Sequence, residues 1–304
     1  MQLQRIVVAI KPWQHALPLA ATHARQLAQS VNAQIKLVSA VFDAAVTAGC
    51  ERGDRVAQAT RDRTVTAARV ELERLAQSMR EWGANVTTRV VWGTPVYEAI
   101  VTAVREWQAD LLVVGVHEQR PVHTRLTDTD WQLMRHVPCP LLLVKDPVFD
   151  GYRTICAAVD PLHAHAEPSG LDRAVLAAGR CFARAFGSTL RAVNVYPGGD
   201  AFALASAVEV TPGVYYGAEN VEALHRQAVT ELVAEYGVGR ADIDLIAGAP
   251  ADVLTELAIQ REAELVVVGV PQRRGRLAAV VGSTAEGVAA EAACDVLLVP
   301  ARSG

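Results

Sequence analysis

The residues best suited to chemistry lie near the C-terminus. Gly269 closes an apolar run, Glu264-Leu-Val-Val-Val-Gly269, and Gln272 follows it; nine residues further on comes Gly282-Ser283-Thr284. Glycine at a strand end lets another backbone or a ligand approach closely. A helix opening at Gly282-Ser283-Thr284 would offer unpaired N–H groups and a dipole that favours an anion. Arg273, Arg274 and Arg276 lie in the intervening loop, where they could face phosphate oxygens, and Asp160 ends an earlier apolar run, Cys156-Ala-Ala-Val-Asp160. These types and spacings suit the binding of a phosphorylated ligand. Simpler explanations exist for each part. Ser283-Thr-Ala-Glu286 is also a capping box with Ser283 as N-cap, three arginines also make a solvated turn, and Asp160 before Pro161 also starts a turn.

The same pattern occurs earlier in altered form. Trp92-Gly-Thr-Pro95 and Asp110-Leu-Leu-Val-Val-Gly115 match Ala247-Gly-Ala-Pro250 and Glu264–Gly269, and each copy closes on Cys139-Pro-Leu-Leu-Leu-Val-Lys145 or Cys294-Asp-Val-Leu-Leu-Val-Pro300. In the first copy Lys11 stands in the place of Asp160, Glu118 in that of Gln272 and Asp128 in that of Gly282, with Asp130 adding a carboxylate. Carboxylates suit a helix N-terminus as caps, and there they repel a polyphosphate. The first copy is therefore not expected to take a nucleotide.

Other chemistry is thinly represented. His163-Ala-His165, with Glu167 nearby, has alternate spacing but no completed ligand set, and His117 and His123 have the same standing; solvated loop histidines are the expectation. Neither Gly-x-Ser-x-Gly nor a Walker-type Gly-Lys-Ser occurs, and no general base is evident. No catalytic residue or metal site is expected: the chain reads as a binder, at most a slow ATPase. The five cysteines include no Cys-x-x-Cys pair and read as reduced thiols. All five tryptophans fall in the first copy, as packing residues or as the lining of an apolar-ligand pocket.

The elements that must position these residues alternate regularly. Strands are expected at Arg5–Ile10, Gln34–Val41, Asn85–Val91, Asp110–Val116 and Pro140–Lys145, then at Thr154–Val159, Thr189–Val195, Asp242–Ala247, Leu265–Val270 and Asp295–Pro300. Helices are expected at Leu17–Val31, Asp54–Trp82, Pro95–Trp107, Thr129–His136, Leu171–Phe186, Tyr216–Tyr236, Ala251–Gln260 and Thr284–Ala292. The strands are continuously apolar, as strands covered on both faces are. The fold class is thus α/β: two tandem doubly wound, Rossmann-like domains with five-stranded parallel sheets, residues 1–147 and 152–304, joined by the linker Lys145–Tyr152. Pro95 and Pro250 stand at matching first helical turns. The stretch from Tyr196 to Gly213 is the longest irregular insertion, a flap or an elaborated crossover.

Net charge is −4 over 304 residues, and it is divided unevenly. Up to Pro147 there are 17 Lys plus Arg against 14 Asp plus Glu; beyond it, 12 against 19. No basic stripe with interleaved aromatics marks a nucleic-acid partner, and no apolar run is long enough for membrane insertion. The chain enters a strand-like run directly, without a leader segment, so a cytoplasmic protein is expected. The closing strands Leu141–Val144 and Val296–Val299 would each leave an apolar sheet edge, which pairing within the chain would protect.

The Gly-x-x-Gln-(nine residues)-Gly-Ser pattern after the fourth strand, with Asp160 closing the first, resembles the universal stress protein family. Its nucleotide-binding members carry Gly-x-x-Gly-(nine residues)-Gly-Ser/Thr. The match holds at Asp160, Gly269, Gly282 and Ser283 and departs at Gln272. Thr127-Asp-Thr-Asp-Trp-Gln-Leu-Met-Arg135, followed by Pro138–Asp146, is similar to the tandem two-domain members of enteric and related bacteria. The resemblance implies a stress-response regulator whose two domains are of the universal stress protein type and pair through their last strands, with a homodimer as a further assembly. It implies ATP or AMP, with or without Mg, bound in the second domain by Asp160, Val195, Gly269, Gln272, Arg273, Gly282, Ser283 and Thr284. Gln272 leaves a second reading open, a nucleotide-free scaffold acting through protein contacts or an apolar ligand.

Overall fold

The structure is a computed structural model that describes residues 1–11, 18–116, 126–145, 149–162, 170–196, 218–271 and 282–301, with backbone alone at 218–220. Its chain divides into two compact units, Gln2–Gly151 and Tyr152–Gly304, the second also taking in Met1.

The first unit contains β1 (Arg5–Ala9), α1 (Leu19–Val31), β2 (Gln34–Val41), α2 (Ala44–Glu51), α3 (Arg55–Glu81), β3 (Asn85–Trp92), α4 (Val96–Trp107), β4 (Leu111–Gly115), α5 (Asp128–His136) and β5 (Leu141–Val144). Its strands are parallel, in the order β3-β2-β1-β4-β5. The second unit contains β6 (Thr154–Ala158), α6 (Leu171–Phe186), β7 (Thr189–Tyr196), α7 (Ala218–Val233), β8 (Ile243–Ala247), α8 (Pro250–Gln260), β9 (Leu265–Val270), α9 (Ser283–Glu291) and β10 (Asp295–Pro300). Its parallel strands run β8-β7-β6-β9-β10. In each unit the order reverses between the first and fourth strands, the place where crossovers diverge and a crevice opens beyond the strand ends. The expected α/β fold class is what the structure has.

The central strands are buried throughout: Ile6, Val7 and Val8 in β1, Leu265 to Val268 in β9. Helices on both faces leave no polar side for them to present, hence the unbroken apolar runs. Each unit also begins with the same clamp. Asp110 Oδ2 accepts from the N–H groups of Gln4 and Arg5, both at 2.9 Å. Glu264 Oε2 accepts from Arg153 at 3.1 Å and Thr154 at 2.8 Å. A carboxylate just ahead of the fourth strand thus ties down the start of the first.

Several boundaries differ from expectation. α2 was not expected; Asp43 caps it by accepting from the Val46 N–H at 2.9 Å, and Gly49 lets it lie against Ala57 of α3, where a Cβ would come within 2.5 Å. The helix expected to end at Tyr236 stops at Val233 and gives way to 3-10 turns at Ala234–Tyr236 and Arg240–Asp242. Pro250 is the first residue of α8, but Pro95 lies one residue outside α4.

Polar clusters differ between the units. In the second, Asp244 of β8 is buried and accepts from Arg191 Nε of β7 at 2.8 Å and Arg261 Nη2 at 2.7 Å. In the first, Lys36 of β2 lies 4.4 Å over the Trp107 ring, and Arg89 of β3 pairs with Glu106 of α4.

Candidate functional site

The C-terminal edge of β7-β6-β9 carries three of the expected binding residues. Asp160 follows β6 and is exposed, Val195 is the seventh residue of β7 and half-buried, and Gly269 is the fifth of β9. The first turn of α6 links two of them. Leu171 packs onto Gly269, where a Cβ would meet its Cγ at 2.7 Å, and the next residue, Asp172, accepts from the Asp160 N–H at 3.0 Å. The close approach that Gly269 permits is therefore made by a side chain of the protein itself. In the first unit the matching Gly115 faces Ala20, at an ordinary 3.7 Å.

Gly282 shapes the start of α9. Its φ of +104° is a conformation that L residues seldom adopt, and Pro271 lies 3.4 Å from where a Cβ would stand. The structure corrects the capping-box reading of Ser283. Gly282 is the N-cap, α9 begins at Ser283, and among the described residues no side chain caps the helix; the Glu286 N–H bonds to the Gly282 carbonyl at 3.0 Å. A glycine N-cap has no side-chain oxygen to offer, so among the described residues the first N–H groups of α9 carry no side-chain cap. Ser283 is exposed and Thr284 half-buried. Gln272 and Arg273 lie outside the described residues, as do Arg274, Arg276, Glu118, the histidines at 117, 123, 163 and 165, Glu167, and all of the long insertion beyond Tyr196.

The matching helix of the first unit is closed. Thr127 is the N-cap of α5 and Asp130 its third residue, and together they form a capping box. Asp130 Oδ2 accepts from the Thr127 N–H and from Thr127 Oγ1, each at 2.8 Å. Thr127 Oγ1 in turn accepts from the Asp130 N–H at 3.3 Å. Asp130 is 1% exposed, so its carboxylate is built into the helix start. Asp128 is merely the first helical residue.

Sequence reasoning missed a buried polar group beside Asp160 and Val195. Asn194 of β7 is fully buried; its Nδ2 donates to the Val159 carbonyl at 2.9 Å, and its Oδ1 meets His225 Nδ1 at 2.8 Å. His225, on α7, has its ring 5.3 Å from that of Tyr196. Burial lowers the His225 pKa, with Asp160 acting in the opposite direction. Burial raises that of Tyr196, and Glu222 adds to the rise. The available signal was an Asn inside the apolar run Ala192-Val-Asn-Val195.

Elsewhere the chemistry is quiet. Among the described residues no cluster of three His, Cys, Asp or Glu groups could hold a metal, and no helix is long and apolar enough to cross a membrane. Burial pushes the thiols of Cys139 and Cys156 up to about 12 and about 11.

Comparison with known proteins agrees with this architecture. The model of the universal stress protein family matches residues 2–145 and again residues 151–300. Universal stress protein E of Photorhabdus laumondii is 25% identical over 299 residues, spanning 97% of this chain and 94% of that protein. Its namesake in Escherichia coli K12 is 27% identical over 307 residues, 97% and 93% of the two chains. A universal stress protein from Archaeoglobus fulgidus has the same fold, with a TM-score of 0.67, 14% identity and 98% of each chain covered. This chain belongs to the universal stress protein family, as a tandem member of the kind that universal stress protein E represents.

Proposed function

We propose that the chain is a stress-response, ligand-binding regulator of the cytoplasm whose second domain binds ATP or AMP and whose first does not. The observation that carries this reading is the opposite treatment of two matched helix starts. At α5 the Asp130 carboxylate already occupies the helix start. At α9 the N-cap is a glycine with φ +104°, and among the described residues no side chain caps the first N–H groups. An anion is stabilised at such a start by the unpaired N–H groups and the helix dipole, and a carboxylate in its place excludes it.

Gly282, Ser283 and Thr284 would hold phosphate oxygens, and the family resemblance adds Gln272 and Arg273 to that set. Asp160 and Val195, on the edge of β6 and β7, would face the nucleoside. Mg would accompany ATP through its phosphate oxygens. The protein's own part is to bind and orient.

Gln272 favours the competing reading, a nucleotide-free scaffold, because a side chain is costly wherever the loop needs a positive φ. Native mass spectrometry of the purified chain and AMP titration of Gln272→Gly separate the two. The nucleotide reading expects a co-purifying adenine nucleotide and tighter AMP binding by the variant. A lipid-like mass, with no AMP uptake by either protein, would overturn it.

A further inference from the structure

Asp160 and Val195 sit on different strands, and one buried network holds both strand ends. The Val159–Asp160 peptide is pinned from two sides: its carbonyl accepts from Asn194 Nδ2 at 2.9 Å, and its N–H donates to Asp172 Oδ1 at 3.0 Å. Asn194 directly precedes Val195, and Tyr196 directly follows it. His225 reaches both neighbours, Asn194 through Nδ1 at 2.8 Å and Tyr196 through a ring contact at 5.3 Å.

The chemistry of the network fixes its proton positions. The Val159 carbonyl can only accept, so the Asn194 amide must turn its NH2 toward it and its Oδ1 toward His225. His225 therefore carries its proton on Nδ1, and burial favours the neutral ring. A fully buried Asn is costly unless both ends of its amide are satisfied, and a valine would pack such a strand without that demand. The first domain does without the device. Ser39 stands in the place of Asn194, and among the described residues no side chain bonds the matching Ile10–Lys11 peptide.

The geometry points to His225 as a positioning residue for ligand binding in the second crevice: through Asn194 and Tyr196 it sets the strand ends that present Asp160 and Val195 to an adenine nucleotide. This rests on the nucleotide reading above, and two measurements on the full chain keep the claims apart. The first is ligand-free. Amide chemical shifts of wild type, His225→Leu and His225→Asn report the strand ends, and the ring nitrogen shifts of His225 report its tautomer. We expect the Nδ1-protonated form, displaced amides at Asp160, Val195 and Tyr196 in His225→Leu, and near wild-type amides in His225→Asn, whose Nδ2 supplies a donor close to that of Nδ1. The second is AMP titration: His225→Leu should lose tenfold or more in affinity, and His225→Asn should recover to within about threefold of wild type.

An Nε2-protonated ring, or unmoved amides at 160 and 195 in His225→Leu, would overturn the positioning role whether or not AMP binds. So would equal AMP affinity of His225→Leu and wild type, or a His225→Asn as weak as His225→Leu. A wild type that takes up no AMP while the amides behave as expected would overturn the ligand assignment and leave the device in place.

Discussion

The two domains share one frame, yet their matching helices start in opposite ways. α5 is closed by the reciprocal bonds of Thr127 and Asp130, whereas α9 opens on Gly282 with no side-chain cap among the described residues. The same divergence recurs at the second strand, where Asn194, bonded to His225 of α7, stands in the place of the buried Ser39 of the first domain. The ion pairs have changed sign as well. Arg89 pairs in register with Val38, and Asp244 with the matching Val193, so a cation on one outer strand became an anion on the other. What was kept is the scaffold, including the carboxylate clamp at Asp110 and Glu264. A duplicated fold can hold its frame constant while its crevices diverge.

The largest effect should come from the ion pairs. Asp244 is 7% exposed and answers two arginines, so Asp244→Ala leaves the enclosed Arg191 with the more exposed Asp242 as its remaining carboxylate and should cost about 3 kcal/mol. Arg89 and Glu106 are far more exposed, and Arg89→Ala should cost less than about 1 kcal/mol. Denaturant titration separates the domains, because all five tryptophans fall in the first. Tryptophan fluorescence follows that domain and circular dichroism follows both. Equal costs would break the proposed difference in enclosure.

Smaller effects are expected at the helix starts. Gly282→Ala forces a Cβ onto a backbone at φ +104° and should destabilise the second domain by about 1–2 kcal/mol. Thr127→Ala removes a cap and should cost the first domain about 1 kcal/mol. A neutral Gly282→Ala would mean that no special backbone is needed there.

The smallest effect is a pH dependence. Burial holds the folded His225 pKa below its unfolded value near 6.5. Below that pH the unfolded chain binds the extra proton first, so the second domain loses stability as pH falls. His225→Asn should flatten this slope below about pH 6.5. For Asp244, burial opposes ionisation, but the bonds from Arg191 and Arg261 outweigh it and hold the pKa down. Its contribution is present above the ordinary carboxylate pKa near 4 and disappears as pH falls through the lower folded value. An unchanged slope in His225→Asn would show that another group titrates.

Much of the frame could be read from the chain because a doubly covered parallel strand leaves an unambiguous apolar run, as at Leu265–Val270. α2 escaped notice because Ala44–Glu51 is short and its packing rests on Gly49, a residue that signals breaks more often than helix contacts. At Ser283 the capping-box pattern is present, but the preceding glycine's backbone moved the N-cap back by one residue. At Gly269 the small residue was legible and its neighbour was not, because Leu171 lies nearly a hundred positions away in the chain. The His225–Asn194 bond spans 31 positions between a helix and a strand, and nothing local to either residue announces it.

Calorimetric titration of the full chain with AMP bears most directly on the claim that only one of the two crevices takes a nucleotide. The account predicts one AMP per chain for wild type and none for Gly282→Asp, which brings the first domain's residue into the second, with circular dichroism confirming that the variant is folded. Two AMP per chain, or a folded Gly282→Asp that binds AMP as wild type does, would contradict it.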